Sequence, residues 1–156
     1  MKKYFYVLIL LVACQDPQLQ PDKLITTEEI QIAKELIQGA FDDLWGGVDS
    51  TKMSKYHTED FIILENGMVW DNDRIKQYMR KQLANKNRPK RINKMVYISL
   101  DKYGESIQIA YHNYAEFVRA DTLVSKASWL ESALAINTEE GWRLKMMHST
   151  YSGSDF

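Results

Sequence analysis

From Ile107 to Phe117 every second residue belongs to one set: Ile107, Ile109, Tyr111, Asn113, Ala115 and Phe117. Side chains of an extended chain alternate between two faces, so this set predicts one long strand laid against a core. The same period recurs on both sides of it. Residues 92–100 predict a strand that turns at Asp101-Lys102-Tyr103-Gly104. A turn near Ala120-Asp121-Thr122 leads to a long strand over 123–137, and residues 138–141 turn again. Trp142, Leu144, Met146 and His148 alternate in a final strand. An antiparallel meander is the expected end of the fold.

Ahead of the meander the period changes to that of a helix. Thr26-Thr27-Glu28-Glu29 offers a capping box, with Thr26 as N-cap and Glu29 three residues on. Ile30, Ala33, Ile37, Ala40, Phe41 and Leu44 then fall on one helical face, and Gly46-Gly47 stops the helix. Residues 50–56 predict a short second helix. Asn66-Gly67 between the apolar runs 60–64 and 68–70 is a hairpin signal. Asp71 can cap a further helix whose apolar positions are Ile75, Tyr78, Met79 and Leu83. Helices first and a meander after is an α+β order. A chain of 156 residues with 45% apolar residues suits one packed domain.

The first residues carry an address rather than a fold. Met1-Lys2-Lys3 is a positive start, and residues 4–13 are a continuous apolar run. That run has the length of a signal-peptide core and is too short for a bilayer, which needs about 20 residues. It ends in Leu11-Val12-Ala13-Cys14, which resembles a bacterial lipobox. The resemblance implies cleavage before Cys14 and a diacylglycerol thioether on its sulfur. Residues 1–13 are then a lipoprotein signal peptide and 14–25, with Pro17 and Pro21, a lipidated tether. The expected location is the cell envelope, membrane-anchored, on the periplasmic or cell-surface side.

Charge and cysteine content exclude several classes. The formal charge is −1, and without Lys2 and Lys3 it is −3, with 18 basic against 21 acidic residues. Nothing in that balance attracts nucleic acid, and none is expected as a partner. The basic stretch Arg80, Lys81, Lys86, Arg88, Lys90, Arg91 and Lys94 nearly lacks aromatics and reads as a solvated helix end and strand edge. One cysteine excludes an internal disulfide. His57, His112 and His148 are far apart, so no metal is expected. No phosphate loop or dinucleotide fingerprint calls for a cofactor.

The capped helix, the Asp60-Phe61 entry into a hairpin with Gly67, and the helix opened by Asp71 resemble the nuclear transport factor 2-like superfamily. The ending Gly141-Trp142-Arg143-Leu144-Lys145-Met146-Met147-His148-Ser149 is similar to that of many such domains. The resemblance spans 26–151, with 152–156 as a tail. It implies a strongly curved antiparallel sheet wrapped around the long helix as a cone, a pocket at its open end, and frequent homodimers. It is compatible with SnoaL-like or ketosteroid-isomerase-like enzymes and with binding modules alike.

Several residues are candidates for chemistry. His148, by parity with Trp142, Leu144 and Met146, is expected inward, as general base or as a structural histidine. Tyr111 and Asn113 share a face and can hold an oxyanion or simply fill the core. Trp70, Trp129 and Met146 are candidate pocket lining. Glu131 sits in a strand otherwise poor in charge, either facing the cavity with a raised pKa or lying on the outer face at a dimer interface. A buried acidic pair is missing, which favours a non-catalytic domain binding a small apolar ligand or a protein partner. The alternative is a cofactor-independent isomerase, dehydratase or cyclase with His148 as base.

Overall fold

The computed structural model describes residues 24–154. Cys14, the predicted leader and most of the predicted tether lie outside the described residues. The capping box forms as its sequence dictates: the Glu29 amide donates to Thr26 Oγ1 at 3.1 Å, and the Thr26 amide donates to Glu29 Oε2 at 2.9 Å. From it runs α1 (Thr27–Ala40), burying Ala33, Leu36, Ile37 and Ala40. The helix then widens into one π-helical segment, Phe41–Gly46, with Gly47 N–H donating back five residues to Asp42 O at 2.7 Å. In this wider turn residues four apart lie nearly above one another, so Phe41 and Trp45 face the same way, 6.3 Å between ring centres.

A 3₁₀ turn (Ser50–Lys52) and the single-turn α2 (Met53–Tyr56) follow, then the hairpin of β1 (His57–Glu65) and β2 (Met68–Asp71). Its turn places Asn66 at φ 50° and Gly67 at φ 72°, the left-handed pair that an Asn-Gly hairpin needs. Asp71 caps α3 (Asn72–Ala84) by accepting from the Arg74 amide at 2.8 Å. Ile75 and Met79 of α3 are buried, but Leu83, expected in the core, is 62% exposed in its last turn.

The meander is β3 (Lys90–Tyr103), β4 (Ser106–Arg119), β5 (Thr122–Thr138) and β6 (Gly141–Gly153). The six strands form one sheet in the order β2-β1-β6-β5-β4-β3. Every adjacent pair is antiparallel except β1 and β6, which are parallel. The sheet is therefore mixed, not wholly antiparallel as expected. The cause is topological: α3 carries the chain from β2 to the far edge, and the meander walks back until β6 meets β1 running the same way.

Register shifts interrupt β3 between Tyr97 and Ser99, β4 against β5 at Phe117/Val118, and β5 against β6 at two places. Such bulges bend strands and deepen twist, and here they curve the sheet around α1. The concave face supplies Phe61, Ile107, Ile109, Tyr111, Ala133, Ala135 and Leu144, which close on Ile37 and Leu44. Among the described residues no helix is long and apolar enough to cross a membrane.

Candidate functional site

One register row crosses the concave face through five strands: Glu65, Ser149, Glu131, Tyr111 and Tyr97. Toward the open end of the cone this row and its neighbours bound a small cup of about 50 Å³. That is room for about three or four water-sized groups. Phe41 and Trp45 of the π-helical segment cover it. Ile63 and Glu65 of β1, Met147 and Ser149 of β6, Trp129 and Glu131 of β5, and Arg91 of β3 complete it.

The helix reaches β3 closely because of Gly46. A Cβ there would lie 3.0 Å from the Arg91 carbonyl oxygen, and Arg88 Nη1 donates to Gly46 O at 3.1 Å. This approach sets Phe41 against Arg91. The Arg91 guanidinium carbon lies 4.7 Å from the Trp129 ring centre, 5.5 Å from Phe41 and 5.8 Å from Phe117. Aromatic faces attract the cation but accept none of its N–H groups in the way an oxygen does. The Arg91 side chain makes no hydrogen bond or ion pair among the described residues, and its Nε is wholly buried.

Glu131 is 5% exposed and already engaged. Ser149 Oγ donates to its Oε1 at 2.9 Å, and Asn113 Nδ2 donates to its Oε2 at 3.2 Å. The Asn113 Oδ1 in turn accepts from Asn93 Nδ2 at 2.6 Å. Burial raises the Glu131 carboxyl above its ordinary value, opposed by the donors Ser149 and Asn113, by neighbouring Tyr111 and by the charge of Arg91. Burial likewise raises Glu65, opposed by Arg91. Burial lowers Arg91, opposed first by Glu131 and then by Tyr78, Glu65 and Tyr111. Tyr111 is pushed well above the usual phenol value by burial and then by Glu131, and its hydroxyl closes no hydrogen bond.

The sequence-predicted candidates divide. Trp129 and Glu131 line the cup, which resolves the alternative left open for Glu131 in favour of the inner face. Tyr111 and Asn113 are fully buried beneath it, and both ends of the Asn113 amide are taken, so it is not free to hold an oxyanion. Trp70 stands one shell away: its ring packs on Tyr78, which packs on Trp45.

His148 and Met146 are corrections. His148 is exposed, and it shares with Ser132 and Leu64 a register row on the convex face. Ala135 pairs with Leu144 but Leu134 pairs with Met146, leaving Lys145 as an extra residue. The bulge reverses parity, so Leu144, Met147 and Ser149 point inward while Met146 and His148 point out.

Four parts of the cup were not anticipated. Arg91 was hidden in a run of basic residues, although its alternation with Asn93, Met95 and Tyr97 marks the inner face of β3. Glu65 read as a hairpin corner and Ser149 as part of an ending. Phe41 reads as part of the core stripe of α1, and Trp45, four residues on, lies outside that set.

A second concavity of about 930 Å³ lies open over α2, β1 and the start of α3. Its charged groups are mostly satisfied locally: Arg143 pairs with Glu140 and donates to Ser54 O, and Lys76 pairs with Asp73. His57 borders it but is 4% exposed and faces Asn72. Among the described residues no group of three or more His, Cys, Asp or Glu side chains could hold a metal ion.

The curved sheet closed on a capped helix, with a cup at the open end, defines the nuclear transport factor 2-like cone fold. Solved structures agree in fold. The C. reinhardtii CamKII hub homology domain superposes with a TM-score of 0.68 at 15% identity, covering 80% of this chain and 98% of that one. A conserved protein from Planctomyces limnophilus gives 0.65 at 12%, covering 80% and 99%. A nuclear transport factor 2-like superfamily protein from Salmonella enterica gives 0.62 at 14%, covering 81% and 92%. No protein-family model matches the sequence, and no curated protein matches it.

Proposed function

We propose that this chain is a non-catalytic binding module that takes a small organic ligand in the cup and is held at the cell envelope by lipid on Cys14. The observation that carries the binding reading is the cup itself: three aromatic rings, one arginine and two glutamates around a space that opens to solvent. Against catalysis stands the state of the more deeply buried of its two acids. Glu131 is held by two donors, and no histidine lines the cup. The alternative, a cofactor-independent isomerase, dehydratase or cyclase, relied on His148, which sits on the convex face. Native mass spectrometry of the full chain, released gently from its source cells, tests binding. A stoichiometric small molecule is the expected result, and a chain that stays empty against a broad metabolite extract would end the reading.

The anchor rests on the lipobox resemblance. Cys14→Ser is expected to abolish labelling by radioactive palmitate and to leave the precursor uncleaved. Continued labelling would remove the anchor.

A second copy of the chain is the partner this reading carries. Val96, His112, Leu130 and Thr150 form one row across four strands of the convex face, with Val96 45% and Leu130 46% exposed and Ile98 57% exposed beside them. Sedimentation equilibrium is expected to find a dimer that Leu130→Asp converts to monomer, since an unpaired buried charge costs several kcal/mol. A monomeric wild type at high concentration would exclude it.

A further inference from the structure

We propose that the cup's ligand is a small organic monocarboxylate, its carboxylate on the Arg91 guanidinium and its apolar part between Phe41, Trp45 and Trp129. This rests on the reading of the cup as a binding site and names the ligand class. The argument turns on which partners are already taken. Both Glu131 oxygens accept from protein donors, so Glu131 has little left to offer a ligand's amine or hydroxyl. None of the Arg91 donors is used by the protein, and its Nε is buried without an acceptor. Leaving a buried donor unmade is costly, more so for a charged group. Arg91 therefore lacks an acceptor, and a carboxylate supplies one in the planar geometry that a guanidinium fork matches.

The surroundings select among anions. Phe41, Phe117 and Trp129 surround the guanidinium, and none accepts its N–H groups as an oxygen does. Phe41 and Trp129, with Trp45, Ile63 and Met147, make most of the lining apolar, which favours an organic acid over a strongly hydrated inorganic ion. The volume of about 50 Å³ admits a carboxylate and a short carbon chain, with any longer tail emerging at the open mouth.

Charge balance sets the pH dependence. The titratable groups around Arg91 are Glu131, Glu65, Tyr78 and Tyr111. Burial raises both carboxyls, and with both ionised the cup carries one net negative charge. A second anion entering favours protonation of Glu131 or Glu65, so uptake of the ligand is coupled to uptake of a proton. Affinity is expected to rise as pH falls, by up to about tenfold per pH unit for one coupled proton.

The test uses the purified full chain with sodium propionate and its neutral counterpart propionamide, read by tryptophan emission and by the ¹⁵N resonance of the Arg91 Nε. Propionate is expected to bind about tenfold or more tightly than propionamide and to move the Nε resonance. Arg91→Gln is expected to abolish that preference, and Arg91→Lys to keep only part of it. Glu131→Gln is expected to tighten propionate and flatten its pH dependence, which keeps the claim testable if Arg91→Gln does not fold. Equal binding of acid and amide, insensitive to Arg91, would overturn the carboxylate assignment and leave the cup a binding site. Binding of neither, with another molecule retained in native spectra, would do the same. Binding of neither, with the chain empty in native spectra, would overturn both.

Discussion

Glu131→Ala is expected to lower the unfolding free energy by about 3 kcal/mol, and Glu131→Gln by about 1 kcal/mol or less at neutral pH. The alanine strands three groups at once. Ser149 Oγ and Asn113 Nδ2 lose their acceptor, and Arg91 loses the neighbouring charge that most opposes its desolvation. Asn113 also anchors Asn93, so the damage spreads from β5 through β4 to β3. Glutamine keeps one acceptor oxygen and the volume. The sign of the pH effect follows from the raised carboxyl. Because the folded value lies above the unfolded one, the wild type loses stability as pH rises from the ordinary carboxyl range through the folded value, and Gln does not. Glu131→Gln should therefore gain on the wild type toward alkaline pH. Urea midpoints at constant m-value measure all three proteins. An alanine variant within about 0.5 kcal/mol of wild type would show that this network does not hold the concave face together.

Acid should attack the fold from another point. His57 stacks on Phe61 at 3.7 Å, and its Nδ1 lies 3.0 Å from Asn72 Oδ1. The Asn72 amide nitrogen donates to Thr58 O and Glu59 O, both at 2.9 Å, so its oxygen must face the imidazole. The proton therefore sits on Nδ1, and Nε2 is a buried lone pair without a partner. Burial pushes the imidazole from its ordinary 6.5 down to about 4, with the Asn72 hydrogen bond opposing. Here the folded state resists protonation. The unfolded chain takes up a proton as pH falls through 6.5, while the folded chain waits until about 4. Stability is thus lost across that window. At 1.36 kcal/mol per pH unit the loss amounts to about 3 kcal/mol by pH 4. The comparison with His57→Gln isolates the imidazole from the carboxyls, whose titration both proteins share. Parallel stability curves for the two would mean that the ring is not desolvated in the folded state.

These two networks stand toward opposite ends of β1, one at His57 and one in the row of Glu65, and serve different ends. The His57, Asn72 and Phe61 cluster locks the start of the hairpin to the start of α3. The Glu131 network sits where the cone opens, and there the protein leaves a charged donor unmatched. Elsewhere charges pair, as Lys102 does with Glu29 at 2.5 Å and Lys52 with Asp43 at 2.6 Å. Tyr56 adds its hydroxyl to Asp43 at 2.5 Å, fastening α2 to the π-helical segment that roofs the cup. A fold able to satisfy Lys102 and Asp43 but not Arg91 has its exception at the concavity, where a binding site is expected to depart from local rules.

Some of this is legible in the sequence alone. The Thr26/Glu29 box, the buried stripe of α1, the Asn66-Gly67 turn and the inner set from Ile107 to Ala115 each follow from interactions between residues close in sequence, or from one unbroken period. The polar site was legible in part. Glu131 stood out because charge is rare in β5, and Trp129 through its parity with it. Arg91 carried no such mark among six other basic residues, and His148 was drawn inward by a parity that Lys145 breaks.

By itself, then, the amino-acid order settled the element types, the α+β order and the two faces of each uninterrupted strand, because propensity, capping and period act within a few residues. It also carries the greasy start ending at Cys14. The tertiary structure alone decided that β6 lies parallel to β1, that a one-residue bulge turns His148 out and Ser149 in, and that Gly46 lets the roof of the cup descend onto Arg91. Those outcomes depend on which distant backbones meet and in what register. A single extra residue in a strand changes them completely while leaving the local pattern almost unaltered.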